Sequence, residues 1–203
     1  MDYNQKMKEQ LARLAGKEKL LLHTCCAICA GGALAREFSY YGEKKRLTDF
    51  FDVTLFFYNP NMDTEAEYIK RANELKRLRG MFTVQDIIVA DYEPNSFNRA
   101  IEGFEGDREG GFRCERCFRL RIEETARYAK HSGFDWFSTT LTVGPRKNPT
   151  GVNHVGLAAE QQYGLPFLCA DLKKENGFLA ANETAKQLEI YRQNYCGCQY
   201  SKG

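Results

Sequence analysis

No apolar run in the 203-residue chain approaches the ~20 residues that a membrane-spanning helix needs, so no membrane contact by an inserted helix is expected. Net charge is nearly absent as well. The 29 Lys and Arg stand against 27 Asp and Glu, leaving +2. A strongly basic whole surface is therefore excluded, and any contact with nucleic acid falls to a local patch. There is no positive segment followed by an apolar stretch and a small-residue cleavage site, so a cytoplasmic location is expected. No repeat, low-complexity tract or linker divides the chain, and its length suits a single domain spanning 1–203 with a core of its own. With 43% hydrophobic and 28% charged residues, gross disorder is excluded.

What the chain has in quantity is cysteine, eight residues in all. In a reducing compartment, cysteines are more often metal ligands or redox groups than structural disulfides.

The hydrophobic pattern alternates strands with helices. Asp2 caps a first helix that runs to about Gly16, and Lys19 to His23 reads as a short buried strand. Ala30 to Tyr41 has helix-like composition, and Asp52 to Tyr58 is a second strand rich in β-branched and aromatic residues. Thr64 and Glu67 have the spacing of a capping box, opening a helix that Gly80 closes. Phe82 to Ala90 is a third strand, and the glycine-rich stretch Glu102 to Phe112 is a loop. A helix follows over Arg113 to Lys130, then a strand over Asp135 to Thr142 and a helix over Asn153 to Tyr163. Pro166 to Ala170 is a fifth strand, and Thr184 to Gln193 a last helix before a cysteine-containing tail, 194–203. The expected fold is α/β, a parallel sheet with crossover helices on both faces. Function in such sheets gathers at the carboxyl ends of the strands.

The cysteines fall into groups at chain breaks. His23-Thr24-Cys25-Cys26-Ala27-Ile28-Cys29 follows the first strand, Cys114-Glu115-Arg116-Cys117 opens a helix, and Cys196-Gly197-Cys198 lies in the tail. Cys169 stands alone in the last strand and reads as a buried small hydrophobe. Soft thiolates select zinc, copper(I) or iron–sulfur clusters, and spacing alone does not choose between them. A disulfide between Cys196 and Cys198 would close a small strained ring, and strained disulfides are readily reduced, so the pair suits a redox relay; both as metal ligands is the other reading. His23 is a ligand, a proton donor or, most commonly for a histidine so placed, a brace in a hydrogen-bond network.

Several strings, in order, resemble the QueH family of epoxyqueuosine reductases. They are HTCCAIC, YNPNMDTEAEY with Arg71, GGFRCERC-FRLR, STTLTVGPRKN and LEIYRQNYCGCQYS, and they run from residue 20 to residue 201. Ile28 stands where the family usually has proline, and Gly144 and Arg146 depart from the expected STTL segment. The resemblance implies an adenine-nucleotide α-hydrolase-like (HUP-like) fold. It implies reduction of epoxyqueuosine to queuosine at the wobble position of tRNA. It also implies a 4Fe-4S cluster, a second mononuclear metal (iron or zinc) and an electron donor of unstated identity. Cysteines replace the glycine-serine phosphate loop of ATP-binding relatives, so ATP binding is not expected.

Residue roles follow from position. Cys25, Cys26, Cys114 and Cys117 are the expected cluster ligands, Cys29 a spare for the second metal, and Cys196 with Cys198 the redox pair. Asp63, Glu67 and Asp171 follow strands and are candidates to protonate the leaving oxygen, with helix capping the commoner role for Asp63 and Glu67. Arg113, Arg116, Arg119, Arg121, Arg146, Lys147 and Arg192 form a local basic set for tRNA, diluted by Glu115, Glu123 and Glu124. Tyr58, Tyr68 and Tyr195 are available to stack on a flipped-out base. A zinc-stabilised RNA-binding module without redox chemistry is the alternative. A PP-loop-like tRNA thiolase or nucleotide hydrolase is a third reading, opposed by the missing phosphate loop.

Overall fold

The run Leu20-Leu21-Leu22 is buried on both sides because it lies at the centre of a parallel sheet. A computed structural model describes residues 1–202. Its elements are α1 (Tyr3–Leu11), β1 (Glu18–His23), α2 (Ala27–Ala35), β2 (Phe38–Tyr40), β3 (Glu43–Lys45), α3 (Leu47–Phe50), β4 (Phe51–Phe57) and α4 (Glu65–Lys76). They continue with β5 (Asp86–Val89), α5 (Pro94–Ala100), α6 (Phe112–His131), β6 (Trp136–Thr139), α7 (Pro149–Tyr163) and α8 (Gly177–Gln187). Four parallel strands pair in the order β5-β4-β1-β6, with Leu22 opposite both Leu55 and Ser138.

Alternation sorts the strand side chains. Leu20, Leu22, Val53, Leu55 and Phe57 join the α1, α2, α4 and α8 side, while Leu21, Phe56 and Phe137 join α6 and α7. Crossover helices thus cover both faces, as the pattern implied. The chain leaves β1 for β4 on one side, and β6 takes the other side of β1. The strand order therefore reverses at the carboxyl ends of β1 and β6, where such sheets form a crevice.

Several boundaries differ from expectation. The helix expected over Ala30 to Tyr41 ends at Ala35, and β2 and β3 then form an antiparallel hairpin. Tyr41 and Gly42 take positive φ, +48° and +86°, the backbone of a two-residue hairpin turn. The strand expected over Asp135 to Thr142 stops at Thr139 and tightens into a 3-10 turn, Thr140–Val143. Pro166 to Ala170 contributes only a bridge between Phe137 and Phe167. Side-chain amides take the groups that a longer ladder would use. Gln10 donates to Phe167 O (2.8 Å) and accepts from Cys169 N (2.9 Å), and Asn153 does the same for Ala170 at 2.9 and 3.0 Å. The last helix lies earlier than expected, as α8, and ends before Glu189 at φ +49°. The short helix α5, with Pro94 in its first turn, was not anticipated.

Candidate active site

β1 ends in a buried, fully engaged histidine. His23 Nε2–H donates to Tyr58 O (3.1 Å), which can only accept, so Nδ1 accepts from the Thr139 hydroxyl (2.8 Å). Thr139 in turn accepts from Leu141 N (3.2 Å). Burial, reinforced by the Arg121 charge, pulls the imidazole pKa down to about 3, so the ring is neutral. Neither nitrogen is available to a metal, and His23 is a brace between β1, β4 and β6.

Past Thr24, the chain turns directly into α2. Cys26 is its N-cap, accepting from Cys29 N (3.4 Å), and the sulfurs of Cys25, Cys26 and Cys29 all lie within 4.8 Å of one another. A helix N-terminus favours thiolate. Hydrogen bonds from Cys26 and Cys29, helped by Arg121, hold the Cys25 thiol well below its ordinary range. The same hydrogen bonding pushes Cys26 up to about 12 and raises Cys29.

The second group opens α6, where Cys114 Sγ accepts from Gly110 N (3.2 Å) and burial raises the Cys117 thiol. The third arrives from the tail. Cys117 and Cys198 pack together with Phe97 and Ile101, and Cys196 Sγ donates to Ser201 Oγ (3.0 Å). A hydrogen bond from Cys198, with the Lys147 charge nearby, draws Cys196 down to about 5 and raises Cys198. One cavity of ≈ 250 Å³ is lined by Cys25, Cys29, Cys114, Cys117, Cys196 and Cys198. Cys26 adjoins it through the trio. All eight cysteines are free thiols, and Cys169 is buried in the apolar cluster under α6 and α7.

A buried cation network holds this arrangement. Arg71, 2% exposed, donates from Nε to Glu67 (2.7 Å) and from its two terminal nitrogens to the carbonyls of Cys196 (3.2 Å) and Tyr195 (3.4 Å). Gly197 adopts φ +110°, and a Cβ there would meet Arg71 and Met62 at 3.3 Å. Arg121 is also buried and makes no ion pair among the described residues. It donates to Cys117 O (3.2 Å) and Asn59 Oδ1 (3.3 Å) beside the thiols. Such a charge is costly without a counter-charge. An anionic thiolate-ligated metal or iron–sulfur group would supply one, so the donor set and Arg121 together fit such a group.

The remaining expected residues divide. Arg113, Arg146, Lys147 and Tyr195 line the cavity. Arg113 is 3% exposed, donates to Glu105 O (2.8 Å), stacks over Tyr200 (4.8 Å), and keeps Nε unpartnered. Arg146 and Lys147 face Glu109 at 4.0 and 3.4 Å. Arg116 does not line the cavity; it lies on the outer face of α6 over Phe104. Tyr58 also falls outside, buried against Phe56, and the Tyr68 hydroxyl ties Phe57 O to Ala90 O (3.2 and 2.7 Å). Asp63 clamps the tail: its N–H donates to Gly197 O (2.9 Å), while its carboxylate takes the Tyr195 hydroxyl (2.8 Å) and the Lys202 ammonium. Burial raises its pKa, but Lys202 and Tyr195 outweigh burial and hold it below the usual carboxylate value, the wrong direction for a proton donor. Asp171 is buried beside Leu172 and Ala170, with Oδ1 unpartnered, away from the cavity lining. Glu67 accepts from Arg71, so the capping box keeps only its Thr64 half.

Arg121, expected in the basic set for tRNA, sits instead among the thiols. The signal was available in Arg113, Cys117 and Arg121, spaced one helical turn apart. The grip of Arg71 on the tail had no such signal.

The family model for the epoxyqueuosine reductase QueH matches residues 20–203. The chain belongs to the QueH family. It is 37% identical to the epoxyqueuosine reductase QueH of Streptococcus pyogenes serotype M1, over 99% of this chain and 80% of that one. Identity to the Staphylococcus epidermidis QueH is 33% over 97% and 81% of the two chains, and to the Thermotoga maritima QueH 32% over 90% and 89%. In fold, this QueH chain resembles the U34-tRNA thiolase NcsA from Methanococcus maripaludis, solved with its [4Fe-4S] cluster. The TM-score is 0.50 at 11% identity, over 98% of this chain and 68% of that one, a likeness of architecture alone. No helix among the described residues is long and apolar enough to cross a membrane.

Proposed function

We propose that this protein reduces the epoxide of epoxyqueuosine in tRNA, giving queuosine and water. The observation that carries the reading is the meeting of three cysteine groups, distant in sequence, around one cavity at the carboxyl ends of β1 and β6, in a chain of the QueH family. Cys25, Cys26, Cys114 and Cys117 would hold a 4Fe-4S cluster, and Cys29 would serve a second mononuclear metal, iron or zinc. When bound, the cluster supplies electrons one at a time.

Removing the epoxide oxygen takes two electrons and two protons. The Cys196 and Cys198 pair carries the electrons: with Cys196 as thiolate, its oxidation to a disulfide releases two electrons and the Cys198 proton, water supplies the second proton, and the oxygen leaves as water. An external donor then restores the dithiol. Arg71, Asp63 and Gly197 hold the tail so that both thiols meet the cavity. Arg113, Arg146 and Lys147 would take the phosphates of the modified nucleotide, and Tyr195 would face its base. Neither Asp63 nor Asp171 lines the cavity, which leaves one proton with Cys198 and the other with water.

The test is anaerobic incubation of cluster-loaded, reduced protein with tRNA carrying epoxyqueuosine. The modified nucleoside should lose the mass of one oxygen. An unchanged mass across several electron donors overturns the reading. A colourless zinc-loaded protein that binds RNA would instead favour the module without redox chemistry.

A further inference from the structure

Helix α6 presents two distinct faces. Arg113, Cys117 and Arg121 turn toward the cysteine cavity, whereas Phe112, Arg116 and Arg119 lie on an adjoining outer stripe at i, i+4 and i+7. Phe112 is 66% exposed, whereas the other large apolar residues of the helix are buried, as Phe118 and Ile122 are, or half-buried, as Leu120 and Tyr128 are. Its ring lies 6.1 Å from that of Phe104 at 55°, and the Arg116 guanidinium sits over Phe104 at 4.8 Å. Together with Arg119 and Glu115, these groups wall a concavity of ≈ 470 Å³. Arg116 makes no ion pair among the described residues, and Arg119 only a loose one with Glu123 at 3.7 Å.

We infer that this outer platform binds an unpaired nucleotide of the RNA next to the modified one, by stacking on Phe112, Phe104 and the Arg116 plane. The inference rests on the reading that the substrate is RNA. Aromatic rings and guanidinium planes take any nucleobase face, and the arginines meet its phosphate. A strand leaving the cavity need only cross one helix, roughly 10–12 Å in diameter. Two arginines against Glu115 leave little net charge on the platform, so stacking carries most of the affinity and charge the lesser part. The same distinction separates the platform from Arg113, Arg146 and Lys147, which surround the cavity itself.

The experiment uses cluster-loaded protein, an anticodon stem-loop RNA and a fully paired duplex of equal length. Phe112→Ala should weaken stem-loop binding by about tenfold, the order lost with one base–aromatic stack. The pair Arg116→Ala/Arg119→Ala should flatten the dependence of log affinity on log salt by about 0.7 per arginine. Iron and sulfide content should match the parent protein in both, which separates loss of the platform from loss of the fold. Phe112→Trp should keep affinity and show fluorescence quenched by the stem-loop but not by the duplex. Parent-like affinity and salt slope in Phe112→Ala and the double variant overturn the inference while leaving the proposed reaction intact. Failure of the parent protein to bind the stem-loop at all overturns both. If stem-loop affinity holds and only reduction by a protein electron carrier slows, the platform belongs to that carrier and the inference falls.

Discussion

At the scale of single residues, serine substitutions sort six of the seven clustered thiols. Cys25→Ser, Cys26→Ser, Cys114→Ser and Cys117→Ser should each lower iron and sulfide content sharply, because each removes a soft ligand that the proposed cluster would use. Cys196→Ser and Cys198→Ser should keep nearly all the iron and lose turnover. Full iron retention in Cys114→Ser and Cys117→Ser, or metal loss in Cys196→Ser, would reassign those thiols. His23 makes a second residue-scale expectation. Its folded pKa, about 3, lies below the ordinary 6.5, so the unfolded chain binds a proton between those values that the folded chain refuses. Stability should therefore fall as pH drops through that window, by about 1.4 kcal/mol per unit at most. Unfolding midpoints against pH test the slope, and ring resonances of His23 should stay in the neutral position throughout. Titration of that ring near 6.5 would show that it is solvated rather than braced.

At the scale of elements, α2 and α8 pack closely because α2 offers Gly31 and Gly32 to its partner. A Cβ at Gly32 would collide with Ala181, and its backbone Cα would lie only 2.9 Å away. Helix propensity favours Ala over Gly by about 1 kcal/mol, whereas overpacking a fixed contact costs about 1–3 kcal/mol. The contact involves backbone, so overpacking should win. Gly32→Ala should lower stability by up to roughly 2 kcal/mol in denaturant unfolding. A stabilised variant would mean that α8 moves aside freely. The consequence reaches the site, because the Cys25, Cys26 and Cys29 trio sits at the N-terminal end of α2.

At the scale of the molecule, the first strand and the last residues meet. The tail passes from α8 across α4, with Arg77 holding Leu188 O (2.7 Å) and Glu189 O (3.3 Å), and ends clasped by Arg71 and Asp63. It brings Gln193, Tyr195 and both tail thiols onto the cavity wall. Truncation before Gln193 should leave a folded sheet that still takes up iron but loses its visible absorption faster in air. Loss measured at the parent's rate would show that the tail does not shield the cavity. Long-range charge contributes little, since the net is only +2.

Local signals alone carried much of this protein. The alternation of apolar runs and helical periods specified a parallel α/β sheet, because side-chain period is a local property of each element. The three cysteine groups announced soft-ligand chemistry because a CxxC or CCxxC places thiols on one turn whatever surrounds them. Other assignments depended on which surfaces meet. Tyr58 and Arg116 had the right chemistry but face the core and the outer side of α6. Asp63 had the position of a cap or an acid, yet the tail returns to it and makes it a clamp. Arg121 and Arg71 acquired their roles only from partners 62 and 125 residues away, Asn59 and Cys196. Tertiary structure decided these because burial, a buried ion's counter-charge and the approach of a chain end are properties of packed surfaces, and no window of neighbouring residues contains them.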